Sequence, residues 1–305
     1  MTVKYYSYQD ADAPVLDAQP GSLVALLDAC LIDGYSSGGT EKTPLGWQIA
    51  HTGTDKRAYQ STSQSAFPAL LRIQDDGSSS DGGESAQCRA YDSMSDVDTG
   101  GNSTSEFLFK KSTGSSGRPW FLVGDDRAFY LCVRNGGNYQ THFFGDIIPQ
   151  DANDTGAVLL KAGSGGSGVS AWENKPMTES NGSSSEYEPE CRWLRDVDLI
   201  GNNAKVRFHG RGGGAHIGED VLSHPNPVTG DIPCEPLYVG GFDNSVSSHW
   251  LRGRMPGGYE PLTNYNAGEF EIISGVNSLS GRDVVNLRHR DSVRRIFVDI
   301  TGPWR

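Results

Sequence analysis

The chain has 305 residues, 36% hydrophobic and 21% charged, with 39 glycines and 15 prolines. That much glycine and proline excludes a helical bundle, and the lack of a Gly-X-Y period excludes collagen. The 12 Tyr, 11 Phe and 6 Trp are spread along the chain and exclude global disorder, while a net charge of −12 excludes a general binder of nucleic-acid backbone.

The first element in the chain is a helix. Leu23, Leu27, Cys30 and Leu31 fall on one helical face, so the pattern predicts a short amphipathic helix over 22–33. Ser22 is the expected N-cap and Gly34 the expected C′ glycine. Ahead of it, Met1–Tyr6 has no apolar signal-peptide core.

From Trp47 the period changes to two. Residues 47–60 and 67–74 read as strands, and Asp75-Asp76-Gly77 breaks the pattern into an exposed loop. A strand resumes over Gln87–Asp92 and is interrupted at Asp98–Asn102. Residues 119–133 carry the best hairpin signal: two nearly continuous apolar arms flank Gly124–Arg127, which predicts a pair buried on both faces. Gly and Ser dominate 164–168 and 181–185, a flexible composition.

Beyond that seam, Lys205–His209 alternates and Phe270–Ile273 is a short apolar run. Val285 and Leu287 share one face, as do Ile296, Val298 and Ile300, with Phe297 and Asp299 on the other side. Thr301–Arg305 reads as a tied-down terminus. The expected fold is therefore mainly β with one short N-terminal α-helix, loop-rich, and sandwich- or barrel-like. Two domains are expected: a β-rich 1–165, a linker or long loop over 166–190, and a β-rich 191–305. One domain with a long internal loop is the alternative.

Candidate chemistry is sparse. His209, His216 and Glu219, with Asp220 and His224 nearby, are suitable metal ligands by type. Their spacing matches no helical ligand pattern, and three consecutive glycines leave the backbone undefined; a solvated loop is the plainer reading, and no metal or cofactor is expected. The acidic groups Asp75, Asp76, Asp81, Glu84 and Asp96, Asp98, Asn102 lack the spacing of a calcium loop. Asp125, Asp126, Asp146, Glu188, Glu190, Asp196 and Asp198 supply carboxylates for a glycosidase pair, whose separation is a three-dimensional quantity. The five cysteines, Cys30, Cys88, Cys132, Cys191 and Cys234, have no close pair and read as reduced, mostly buried thiols of a cytosolic product. No run approaches the roughly 20 apolar residues of a membrane span, so no membrane insertion is expected.

Basic residues concentrate near the C-terminal end: Arg282, Arg288, His289, Arg290, Arg294, Arg295 and Arg305. Against the overall negative charge they form either an interface to an acidic patch or an ordinary solvated strand face.

Five stretches resemble virion-associated structural proteins encoded among the tail genes of tailed bacteriophages and prophages. They are Leu23–Tyr35 with Gly46-Trp47, Arg118–Val133, Phe143–Ile147, Arg252–Leu262 and Gly302–Arg305. The resemblance implies a structural, non-enzymatic subunit, made in the host cytoplasm and carried in the virion. It implies a tail or baseplate component that joins a ring with copies of itself and other tail proteins. Arg288, Arg290, Arg294, Arg295 and Arg305 are then interface candidates, and charge reversal at Arg294 and Arg295 is expected to weaken assembly without unfolding. The alternative is a virion module that grips a host-surface glycan through Trp172, Tyr187, Trp193, Trp250, Tyr259 or Tyr265. A glycan-degrading enzyme is the third reading.

Overall fold

The computed structural model describes residues 2–63, 69–79, 83–104, 106–135, 138–162, 164–165, 190–194, 204–206, 228–243, 248–261, 268–290 and 294–305. Among these, the strands form three antiparallel sheets and a small hairpin, and no sheet closes into a barrel.

The central sheet runs β1 (Lys4–Ser7), β10 (Trp120–Gly124), β11 (Ala128–Asn135), β12 (Asn138–Asp146), β14 (Val158–Ala162), β16 (Glu190–Trp193). A second sheet runs β15 (Ser164–Gly165), β9 (Phe107–Lys110), β7 (Ser85–Asp96), β6 (Leu70–Gln74), β5 (Lys56–Gln60), β4 (Gln48–Gly53), and β8 (Thr99–Ser103) pairs with β7. The third runs β17 (Ala204–Val206), β18 (Cys234–Asp243), β19 (Ser248–Pro261), β22 (Arg294–Asp299), β21 (Arg282–Arg290), β20 (Ile272–Val276), and β13 (Ile148–Pro149) pairs with β19. β2 (Tyr35–Ser37) and β3 (Thr40–Lys42) make the small hairpin.

Side-chain alternation in β10 and β11 explains the layering. Trp120, Leu122, Phe129, Leu131 and Val133 enter one core, shared with the helix and the second sheet. Phe121, Val123, Tyr130 and Cys132 enter another, shared with Leu237, Val239, Val285, Leu287, Ile296 and Val298 of the third sheet. Every residue of β10 is buried, as two apolar arms require. The predicted face of Ile296, Val298 and Ile300 lies in this second core, with Phe297 in a smaller cluster on the far side.

The halves pack across position 165. β16 completes the edge of the central sheet, β13 pairs with β19, and the second core draws on both halves. The expected linker lies almost wholly outside the described residues.

The helix differs in detail from expectation. Its α-helical part, α1, is Ser22–Asp28, and a π-helical turn continues over Ala29–Asp33. Cys30 O accepts from Leu45 N–H, and Leu31 O from Gly46 and Trp47 N–H, so a neighbouring segment takes up carbonyls of this turn. Gly34 ends it at φ 75°, where a Cβ would lie 2.6 Å from the Lys42 carbonyl oxygen. Ser22 is not the N-cap. Gly21 holds that position in the left-handed region, and Ser22 Oγ donates instead to the Asp17 carbonyl at 2.7 Å. The Leu23 N–H is satisfied from 52 positions away, by the Asp75 carboxylate at 2.8 Å.

Other strand boundaries also shift. The run 47–60 folds back as the β4–β5 hairpin, with Asp55 at φ 51° in the turn. Thr99–Ser103, expected as a break, is β8: Gly100 lets the strand lie on Tyr91, whose ring would be 2.4 Å from a Cβ there. Phe270 precedes its strand and sits at φ 49°. Cys30, Cys88 and Cys132 are buried free thiols and Cys234 is half-buried; burial pushes Cys132 and Cys234 up to about 12. No described helix is long and apolar enough to cross a membrane.

Asp75 and Lys111 form an ion pair with both side chains fully buried, and Lys111 Nζ also donates to the Gln19 carbonyl at 2.8 Å. Asp75→Ala strips a buried ammonium of its partner and the helix of its remote cap. The expected loss is about 3–5 kcal/mol, read from urea denaturation.

Candidate functional site

Trp47, Asp146 and Arg305 meet at the turn between β10 and β11. Asp125 organises this turn. Its Oδ1 accepts from the N–H groups of Arg127 and Ala128 at 2.9 and 2.8 Å, and its own N–H bonds the Ala128 carbonyl at 2.9 Å. Its carbonyl accepts from the Trp47 indole at 3.1 Å, and its Oδ2 takes the Arg305 guanidinium. Asp125 is fully buried, so its carboxylate is satisfied by these bonds.

Arg305 also donates to the Asp146 carbonyl at 2.6 Å, which ties β12 into the same node. Gly145 makes that approach possible: it sits at φ 134°, and a Cβ would lie 2.2 Å from the Arg127 carbonyl oxygen. Trp304 packs edge-on against Tyr130, with ring centroids 5.7 Å apart, and donates to the Asp299 carbonyl at 2.9 Å. Burial raises the Tyr130 phenol well above its usual range, so it stays protonated and donates to the Pro256 carbonyl at 2.9 Å. Gly257, at φ 64°, leaves room for the indole; a Cβ there would lie 2.0 Å from Trp304 Nε1. Trp47 completes the node against Phe129 and Phe144, at 5.6 and 5.9 Å.

Both Asp125 carboxylate oxygens accept from the chain's own donors, the turn N–H groups on one and Arg305 on the other. Asp126 and Asp146 lie nearby in the same turn and strand. Glu188, Asp196 and Asp198 lie outside the described residues, and Glu190 is described for its backbone alone.

His209, His216, Glu219 and His224 likewise lie outside the described residues. Among the described residues, no group of three or more His, Cys, Asp or Glu side chains could hold a metal ion. The acidic loop groups are engaged otherwise: Asp75 with Lys111, Asp76 with Ser78 and Gln74, Asp98 with Lys56 and Arg72.

The arginines separate into kinds. Arg305 is bound into the node, and Arg282 pairs with Asp299. Arg295 is only 8% exposed. Arg288, Arg290 and Arg294 are described for their backbones alone. The β21–β22 register sets Arg288 opposite Arg295 and Arg290 opposite Arg294. Of the aromatics proposed for glycan binding, Tyr259 is half-buried against the small cluster of Ile273, Val284 and Phe297. Trp193 and Trp250 are described for their backbones, and Trp172, Tyr187 and Tyr265 lie outside.

Sequence reasoning missed His142, fully buried and stacked on Phe109 with ring centroids 4.3 Å apart. Burial, and then repulsion from Lys161, hold its imidazole neutral, well below the usual histidine range. It also missed that Arg305 and Asp125 are partners, since 180 positions separate them.

No protein-family model matches the chain, and no curated protein is similar to it.

Arg305→Met leaves the Asp125 carboxylate buried with one partner fewer. It is expected to cost about 2–4 kcal/mol in urea denaturation. Gly257→Ala is expected to expel the Trp304 indole, seen as a red shift of tryptophan emission at a small cost in secondary structure.

Proposed function

We propose that the chain is a structural subunit of a bacteriophage virion, a tail or baseplate component that assembles into a ring. The observation that carries this reading is the node at Asp125. The stretches resembling tail-gene proteins are scattered from Leu23 to Arg305, yet Trp47, Asp125, Asp146 and Arg305, from four of them, meet at one buried junction. A likeness that falls on the scaffold supports a shared architecture and a shared structural role.

The second support is electrostatic. On a chain of net charge −12, the backbone register places Arg288 opposite Arg295 and Arg290 opposite Arg294 at the end of one hairpin. Such a concentration of arginine suits an acidic surface on the next subunit, since Arg pairs with carboxylates bidentately. In this reading the protein is made in the host cytoplasm, carried in the virion, and partnered by copies of itself and other tail proteins.

Arg295 is a poor site for testing this, because its reversal places a carboxylate in a buried position. Arg290 and Arg294, at the hairpin end, are the better pair. Light scattering on the native chain is expected to give a ring-sized mass. Arg290→Glu with Arg294→Glu is expected to give a monomer with an unchanged melting temperature. A double variant that assembles like the native chain argues against the hairpin interface.

A further inference from the structure

The β7–β8 ribbon follows an unusual path. β7 pairs with β6 only as far as Tyr91, opposite Leu70, and then continues alone with β8. The ribbon lies back across the outer face of the second sheet instead of extending into solvent. His51 Nε2 on β4 is 3.1 Å from the Met94 carbonyl oxygen. Arg72 Nε on β6 donates to the Val97 carbonyl at 2.7 Å. Lys56 Nζ on β5 donates to both Asp98 carboxylate oxygens, at 3.1 and 3.2 Å, and the Arg72 guanidinium reaches the same carboxylate. The ribbon therefore spans three strands, with Met94 against β4 and the tip against β5 and β6.

Little apolar surface holds it there. The cluster between ribbon and sheet is Ala58, Leu70 and Tyr91, with Ala50 and Met94 half-buried at its margin, and it is separate from the two main cores. The opposite side of the ribbon is open: all five residues of β8 are exposed. Arg72 nonetheless is 8% exposed, because the ribbon covers it. Segments with few buried apolar contacts and exposed ladders are the first to open locally.

We propose that the β7–β8 ribbon is a strap that opens and closes as a unit over the outer face of the second sheet, with the Asp98 carboxylate as its catch. Closed, the strap shields Tyr91, Met94 and the Arg72 guanidinium. Open, it bares them while both main cores stay intact. The catch is half-exposed, so salt weakens it. Hydrogen bonds from Arg72, and then from Lys56, hold the Asp98 carboxyl below its usual range. A lowered carboxyl stabilises the closed state at neutral pH, and that contribution is lost only as acid carries pH down through the lowered value. The other ionisable groups at the catch are Asp96, which accepts the Asp98 N–H at 3.2 Å, and Asp76, which lies close to Lys56; His51 sits further along, at Met94.

Met94 reports the state directly, because thioether oxidation follows exposure. Met255, 1% exposed in the second core, is the internal control. The test is oxidation by dilute hydrogen peroxide, read by peptide mass spectrometry, on the native chain, the native chain in 1 M potassium chloride, and Asp98→Asn. Met94 is expected to oxidise about three- to tenfold faster in the salt and variant arms, with Met255 unchanged. Equal Met94 rates in either arm, or Met255 accelerating in step, would overturn the strap and its catch.

Discussion

Asp125 is reached at its carboxylate by turn N–H groups and the Arg305 guanidinium and at its carbonyl by the Trp47 indole, and the layered architecture depends on that meeting. β10 and the adjoining part of β11 are buried on both faces, and their turn is held from inside by Asp125. Asp125 answers the turn's N–H groups with one oxygen and offers the other to Arg305. A hydrophobic residue there would orphan the turn, and an unpaired carboxylate would be a buried charge. Arg305 answers that charge, since a guanidinium matches the carboxylate and has a nitrogen left for the Asp146 carbonyl.

The same device recurs where distant segments meet. Arg252 grips Asp154 through two nitrogens at 2.6 and 3.0 Å, Arg134 meets Glu269, and Lys111 meets Asp75. These pairs join positions 36 to 180 apart in sequence. The four cysteines whose side chains are described are all free thiols. Among the described residues, ion pairs thus make the long-range side-chain ties that disulfides make elsewhere. They add direction to cores whose apolar contacts alone would let the sheets slide.

Periodicity made the strands legible wherever both faces of a strand had a fixed destination. The arms at 119–133 and the alternation at Ile296–Ile300 are of this kind. It failed where a turn hid inside a polar run, as at Asp55, and where glycines masked a strand, as at Thr99–Ser103; there pairing with β7 and the flat face of Tyr91 decide the conformation. The helix was visible from Leu23, Leu27 and Leu31, but its cap was not, because Asp75 comes from another strand's end. No periodic signal announces a partnership between Asp125 and Arg305.

The layering has a consequence for how the chain comes into being. Phe121 stacks on Tyr5 and Tyr130 meets Phe143 within the first half, but Leu237, Val239, Val285, Leu287, Ile296 and Val298, which complete this core, come later in the chain. About a hundred residues therefore leave the ribosome while this apolar face lacks its third-sheet cover. Native contacts this remote in sequence also make for slow closure. A nascent chain in that interval is a natural client for chaperones, and a truncated fragment of the first half would display the same sticky face with nothing on the way to hide it.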